Sequence, residues 1–174
     1  MGSGKSSVGR ELARSTGFRF RDTDLLVRSR VGKSIPEIFA AHGEAFFRAQ
    51  EKEVLRSLQT ERAMVLATGG GIVLDPANGP LLRRLGPVVW LIADEPTIWA
   101  RVSRNPTRPL LHTANPRQTV RELLRVRQRF YAAVADFSVD SSGLNHQQVA
   151  RQVLATVRDW SGRGDERSTQ DPGP

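Results

Sequence analysis

The chain has 174 residues, 39% of them hydrophobic and 25% charged, which suits one globular domain with a substantial buried core. It has no run of about 18 apolar residues, no basic-then-apolar leader and no cysteine, a pattern expected of a soluble protein in a reducing cytoplasm, with no membrane partner and no disulfide framework. A net charge of +8, carried almost wholly by arginine, fits an enzyme for anionic substrates or a nucleic-acid binder. The arginines form no compact basic run and aromatic residues are few, so no nucleic-acid partner is expected.

Gly2-Ser3-Gly4-Lys5-Ser6-Ser7 has the second half of a phosphate-binding loop, whose full form is Gly-x-x-x-x-Gly-Lys-Ser/Thr. The glycines let backbone N–H groups fold around phosphate oxygens, Lys5 reaches the β- and γ-phosphates, and the Ser6 hydroxyl suits Mg²⁺. Val8, Leu12 and Ala13 recur at helical spacing, so a helix is expected over about 5 to 16, ended by Gly17, with its positive N-terminal end at the anion site. The loop's first glycine and the strand that should precede it would both lie before Met1. The expectation is a start site assigned too late or a shortened chain and, should Met1 be the true start, an unstable and poorly active protein.

Phe18 to Arg21 alternates as a strand should and runs into Asp22-Thr23-Asp24. Two carboxylates two apart at a strand end point the same way, one serving a metal through water and the other accepting a proton from a substrate hydroxyl. Alternatively the aspartate simply caps a helix over Leu25 to Arg30. Ser34-Ile35-Pro36-Glu37 is a capping box opening a short helix to about Ala41. Gly43-Glu44 opens a longer one to about Thr60, with Phe47, Val54, Leu55 and Leu58 as its apolar face. Arg48 on that helix is either a surface residue or the partner of a substrate carboxylate.

Ala63 to Ala67 reads as a buried strand ending in Thr68-Gly69-Gly70-Gly71, where the backbone either approaches a ligand closely or makes a plain turn. A helix over Pro80 to Leu85, a strand over Pro87 to Ile92 and a helix capped by Asp94 follow. This alternation argues for a parallel α/β sheet with right-handed crossovers. The proline-punctuated stretch from Asn105 to Arg117 is a lid carrying Arg108 over the nucleotide, or an exposed linker. A basic helix over about 117 to 135, a strand over Phe137 to Asp140 and a helix from Leu144 to about Trp160 complete one domain over 1–160. The polar tail, 161–174, is expected to be disordered. His42, His112 and His146 lack metal-ligand spacing.

In order, Gly2 to Ser6, Asp22-Thr23-Asp24, Gly43-Glu44 to Arg48, Thr68 to Gly71, Arg108-Pro109-Leu110-Leu111, and Arg127 four residues before Tyr131 form a series that resembles the shikimate kinase family over about residues 1 to 160. The resemblance implies a three-layer α/β/α fold of the P-loop kinase type, with a parallel sheet in the order 2-3-1-4-5 whose first strand is absent from this chain. It also implies transfer of the ATP γ-phosphoryl group to the 3-hydroxyl of shikimate by a cytoplasmic, monomeric enzyme. Carried over by position, Gly2, Ser3, Gly4, Lys5, Ser6 and Ser7 hold the nucleotide phosphates, with Ser6 on Mg²⁺ and Asp22 near it. Asp24 binds and deprotonates the reacting hydroxyl, Arg48 and Arg127 grip the carboxylate, Gly69, Gly70 and Gly71 contact the ring, and Arg108 closes onto ATP. The family's Arg-x-Pro-Leu-Tyr is replaced by Arg127-Gln128-Arg129-Phe130-Tyr131, which leaves Arg129 as a rival for the role of Arg127. Two other readings stand beside this one: a gluconate-type phosphate-loop kinase, and a non-catalytic nucleotide-binding or nucleic-acid-binding homologue.

Overall fold

A computed structural model describes residues 2–103, 113 and 115–167, with side chains through residue 159. Four short strands, β1 (Arg19–Asp22), β2 (Met64–Ala67), β3 (Val89–Ile92) and β4 (Phe137–Asp140), alternate with seven helices among these residues. The helices are α1 (Lys5–Thr16), α2 (Thr23–Val31), α3 (Ile35–Ser57), α4 (Asn78–Leu85), α5 (Glu95–Val102), α6 (Pro116–Val134) and α7 (His146–Arg167).

All pairing is parallel: β1 with β2, Asp22 level with Ala67, and β3 with β4, Ile92 level with Asp140. The two pairs are separate two-stranded sheets, with no ladder joining β2 to β3 among the described residues. They correspond to strands 2-3 and 4-5 of the expected order, and the break falls at the position that order gives its first strand.

Both faces of the strands are covered, as parallel pairing requires. On one side Phe20 and Ala67 meet α1 at Gly9, and Val89 and Leu91 join Val8, Val139, Val149 and Val153 in a core between α1 and α7. On the other side Met64 and Leu66 pack with Val27, Ile38, Phe47 and Val54 of α2 and α3. Leu55 and Leu82 continue that layer toward α6. Period-2 alternation in the strands thus sends successive side chains to opposite helical layers. Leu55, fully buried, is where a cut to alanine would cost about 2–5 kcal/mol.

Helix ends follow the sequence signals. Gly17 ends α1 in the left-handed region at φ 72°. Ser34 and Glu37 close a reciprocal capping box, with Ser34 N–H donating to Glu37 Oε2 at 2.7 Å. Asp94 accepts from Thr97 N–H at 2.8 Å at the start of α5. Several expectations need correction. The two helices expected over 34 to 60 are both present, divided where Gly43 leaves helical geometry at φ 75°, ψ 177° within the span labelled α3; only the end differs, a 3-10 turn taking over at Leu58–Thr60. A 3-10 turn over Ile72–Leu74 follows the glycines, too short for periodicity to reveal. Helix α6 begins at Pro116, so the last two residues assigned to the lid are helical; Asn115 caps it, accepting from Gln118 N–H at 3.3 Å. Helix α7 runs past Trp160 to Arg167, further than the expected end. Propagation adds a hydrogen bond per residue to a helix already nucleated, even where the apolar face has ended. Lid residues 105–112 and 114, Arg108 included, and the tail from 168 lie outside the described residues.

Candidate active site

Gly4 sits at the entry to α1 with φ 86°, and α1 has neither a side-chain cap nor an acidic residue in its first turn. Its N-terminal amides therefore form an uncompensated positive end. Lys5 and Ser6 are the first two residues of that helix. Arg101 of α5 fastens the loop from below, donating to Gly2 O at 3.4 Å, to Ser141 Oγ at 3.2 Å and to Ser141 O at 2.9 Å. Ser3, 6% exposed, accepts from the Ser141 hydroxyl through its carbonyl at 3.3 Å. Ser7 faces a cleft between α1 and α7 whose other wall includes Asn145 and His146.

The loop is joined directly to the end of β1. Ser6 Oγ donates to Asp22 Oδ2 at 2.8 Å. The other oxygen of Asp22 accepts from the N–H groups of Asp24, at 3.0 Å, and Leu25, at 3.4 Å. Asp22 is thus the N-cap of α2, and Asp24 lies in that helix's first turn. Of the two readings open for Asp-x-Asp, the helix cap is the one observed, and two carboxylates projecting together from a strand end is not. A helical turn, not the pleat, relates them, and the cap and the contact with Ser6 are made by one side chain.

Thr23, fully buried, accepts from Gly69 N–H at 2.9 Å and so ties α2 to the glycine turn after β2. That turn is packed too tightly for side chains. A Cβ on Gly69 would lie 2.7 Å from Glu51 Oε1 and 2.8 Å from Asp24 Oδ1, and one on Gly71 would run into the Arg48 guanidinium. Close approach to these side-chain ends, and not an unusual φ, is what favours glycine here. Opposite, the Tyr131 hydroxyl donates to Gly70 O at 2.6 Å, and its ring stacks on Trp90 with centroids 5.6 Å apart. Asp24, Arg48 and the three glycines therefore share one place, with Tyr131 of α6 against it; Arg127 lies four residues earlier on the same helix. Arg129 is exposed on α6, its Cζ 4.8 Å above the Phe130 ring.

Glu51 was not singled out from the sequence, although its spacing of three from Arg48 on a helix was legible. It is fully buried, and its Oε2 accepts from Arg48 Nη1 at 2.5 Å. Oε1 has no hydrogen-bond partner among the described residues. Burial pushes the Glu51 carboxyl above the usual range against the pull of Arg48, and the nearby Asp24 and Glu44 charges add to that push. Burial also works against the charge of Arg48, but the carboxylates of Glu51 and Glu44 outweigh it and hold the guanidinium above its ordinary value. Burial pushes the Tyr131 phenol up, with Arg127 and Arg48 opposing.

In chemical terms, an anion cradle, a hydroxyl–carboxylate pair, a carboxylate and an arginine follow one another through a chain of contacts. Such a set positions a phosphorylated donor against an anionic acceptor. Among the described residues there is no cluster of three or more metal-ligating side chains and no helix long and apolar enough to cross a membrane.

The family model described as shikimate kinase matches residues 1–158. A shikimate kinase of Aromatoleum aromaticum is 42% identical over 160 residues, covering 92% of this chain and 91% of that one. Among solved structures, a shikimate kinase from Acinetobacter baumannii in complex with shikimate superposes with a TM-score of 0.87 at 36% identity, over 91% of this chain and 89% of the other. A gluconokinase from Sinorhizobium meliloti superposes with a TM-score of 0.61 at 18% identity, over 97% and 93% of the two chains, a likeness of fold alone.

Proposed function

This chain belongs to the shikimate kinase family, and we propose that its phosphate loop, Asp24 and the arginines around the glycine turn form the active site of the family's reaction. The protein is an ATP-dependent phosphotransferase with an alcohol acceptor, a shikimate kinase: the γ-phosphoryl group passes to the 3-hydroxyl of shikimate, giving shikimate 3-phosphate and ADP. The role of each residue is supported by the continuous chain of contacts from Ser6 through Asp22 to Asp24, and from Asp24 around Gly69–Gly71 to Arg48 and Tyr131.

Gly2, Ser3, Gly4, Lys5, Ser6 and Ser7 hold the nucleotide phosphates through backbone amides, the Lys5 charge and the positive end of α1. The Ser6 hydroxyl and Asp22 Oδ2, 2.8 Å apart, are two hard oxygen donors. They fit a cation such as Mg²⁺, which prefers one or two protein oxygens plus phosphate and water. When bound there, Mg²⁺ would neutralise charge developing on the phosphate oxygens. Asp24 accepts the proton of the acceptor hydroxyl as that oxygen attacks phosphorus. Arg48 and Arg127 hold the acceptor's carboxylate, and Gly69, Gly70 and Gly71 let the ring lie against the backbone. Arg108, from the lid, neutralises charge on ATP. The enzyme acts as a cytoplasmic monomer, without nucleic acid or membrane as partner.

The test is ADP release by purified protein with shikimate as acceptor and gluconate as comparison, with size-exclusion chromatography run on the same sample. Shikimate-dependent turnover, lowered at least about 100-fold in Asp24→Asn and absent with gluconate, is expected. Turnover with gluconate alone, or none with either acceptor, would refute the assignment.

A further inference from the structure

A run of three glycines has no side chains with which to anchor itself, and glycine gives up more backbone freedom on folding than any other residue. The turn over Gly69–Gly71 nevertheless comes up against Asp24, Glu51 and Arg48, so neighbouring groups must set where its backbone lies. Thr23 accepts from Gly69 N–H at the entry, and the Tyr131 hydroxyl donates to Gly70 O in the middle. We propose that Asn78 is a positioning residue for the acceptor site, its side-chain amide fixing the exit of the glycine turn and, through it, the place of Arg48.

The exit is held at Ile72. Its N–H donates to Gly69 O at 3.2 Å, closing the turn on itself, and its carbonyl accepts from Asn78 Nδ2 at 2.8 Å. Leu74 N–H donates to Gly71 O at 3.0 Å, so the 3-10 turn that Asn78 grips is hydrogen-bonded to two of the three glycines. Ile72 and Val73 are set in the core with Leu55 of α3, Leu82 of α4 and Val134 of α6. Asn78 is itself buried, and its Oδ1 has no hydrogen-bond partner among the described residues. A buried amide satisfied at one end is costly to keep, and the satisfied end is the one that holds Ile72. The backbone around the asparagine is pinned as well. Asn78 N–H donates to Asp75 O at 3.0 Å, Asp75 Oδ1 accepts from Ala77 N–H at 2.9 Å, and Asp75 Oδ2 pairs with Lys52 Nζ at 3.1 Å. Lys52 follows Arg48 by four residues on α3, one turn further along the same face. Arg48 meets Gly71 and Lys52 meets Asp75, so the segment from the glycines to α4 lies along that face of α3 in a fixed register. Releasing Ile72 O frees Gly71 to drift against α3, and the Arg48 guanidinium packed beside Gly71 is displaced first.

The proposal rests on the kinase reading, and the experiment separates the two. Asn78→Leu keeps the approximate shape of the side chain and removes the amide. Measured as shikimate-dependent ADP release, the KM for shikimate is expected to rise about three- to tenfold, the value of one hydrogen bond. The KM for ATP should stay within about twofold of native, because the phosphate loop is held separately by Arg101 and Ser141. A purely structural role predicts another pattern: a smaller folded fraction lowers kcat and leaves both KM values where they were. Adding Asn78→Leu to Gly71→Ala, where Arg48 is expected to be displaced already, should raise the KM for shikimate by less than about twofold more. Asn78→Ser, which also lacks the amide, is measured beside Asn78→Leu, and either folded variant decides. A KM for shikimate within about twofold of native, equal rises in the two KM values, or a full second increment in the Gly71→Ala background would overturn the positioning role and leave the kinase reading intact. So would failure of both variants to fold, which would make Asn78 a stability residue alone. Native protein that turns over no shikimate overturns both readings.

Discussion

Asp22 serves two elements at once: its Oδ2 accepts from the Ser6 hydroxyl at 2.8 Å, and its Oδ1 accepts from Asp24 N–H at 3.0 Å. The first contact sets one edge of the phosphate loop, and the second sets where α2 begins and hence where the Asp24 carboxylate emerges. The spacing between the loop at Ser6 and the start of α2 at Asp24 is thereby governed by a single side chain. For a reaction whose catalysis is largely positioning, that is the economical place for rigidity.

Substitutions at Asp22 should separate these roles. Asparagine caps helices as well as aspartate does, so Asp22→Asn should keep the thermal midpoint within about 2 °C. It should lower kcat by about 10- to 100-fold at limiting Mg²⁺, as the loss of a cation's supporting oxygen does. Asp22→Ala should lose the cap as well, at about 1 kcal/mol. Urea unfolding alongside a Mg²⁺ titration of turnover checks both. An Asn variant with native activity at low Mg²⁺ would remove Asp22 from the cation site.

Asp24→Asn should abolish proton acceptance without altering shape. A general base contributes about 10²- to 10⁴-fold, so kcat should fall by that factor while the KM for shikimate changes far less. Steady-state kinetics with ATP saturating is the measurement. A large rise in KM with kcat preserved would make Asp24 a binding group only.

How much of this was visible in the chain depends on the range of the interaction. The end of α1 at Gly17, the Ser34–Glu37 capping box and the Asp94 cap are set by residues within one turn, and all stood in the sequence. So did the strands and the parallel pairing, because apolar runs alternating with helices admit few other arrangements. The Asp22–Asp24 pair left two readings open because Asp-x-Asp has one meaning on a pleat and another at a helix start, and the observed φ of −137° at Asp22 followed by helical residues decides for the cap. Glu51 was missed because glutamates on a helix beside an arginine are usually solvated pairs. What makes this one different is complete burial beneath Gly69, 18 residues further along the chain. Tyr131 appeared only as a marker after Arg127; its partner Gly70 is separated from it by 61 positions.

The glycine turn should tolerate a methyl group structurally but not functionally. An alanine at position 71 would press on the end of the Arg48 side chain, which can swing away, and not on backbone. Gly71→Ala is therefore expected to cost no more than about 1–3 kcal/mol of stability while raising the KM for shikimate by about tenfold or more as Arg48 is displaced. Gly69→Ala pushes instead on Glu51 and Asp24, so kcat should fall along with it. Kinetics of the two variants side by side distinguish these patterns; identical, small effects on both parameters would mean that the turn is not an approach surface.

Glu51 should give the unliganded protein a pH signature. Its folded pKa lies above the ordinary value of 4.5 because burial disfavours the charge, more than Arg48 favours it. A carboxyl shifted upward contributes stability that is fully present below the unfolded pKa and is lost as pH rises through the folded one. Exposed carboxylates shifted the other way, such as Glu37, Asp94 and Glu95, gain stability as pH rises, so the native curve alone would be a mixture. The comparison with Glu51→Gln cancels them, since both proteins carry them equally. The unfolding free energy of the native protein minus that of Glu51→Gln should be constant below about pH 4.5 and decline above it, where Glu51 is ionised in the unfolded chain and still protonated in the fold, until pH passes the raised folded pKa. Urea unfolding at intervals from pH 4 to pH 8 measures that difference. A difference that is flat across the range, or that grows with pH, would show that Glu51 is ionised at no cost and that Arg48 alone sets its state.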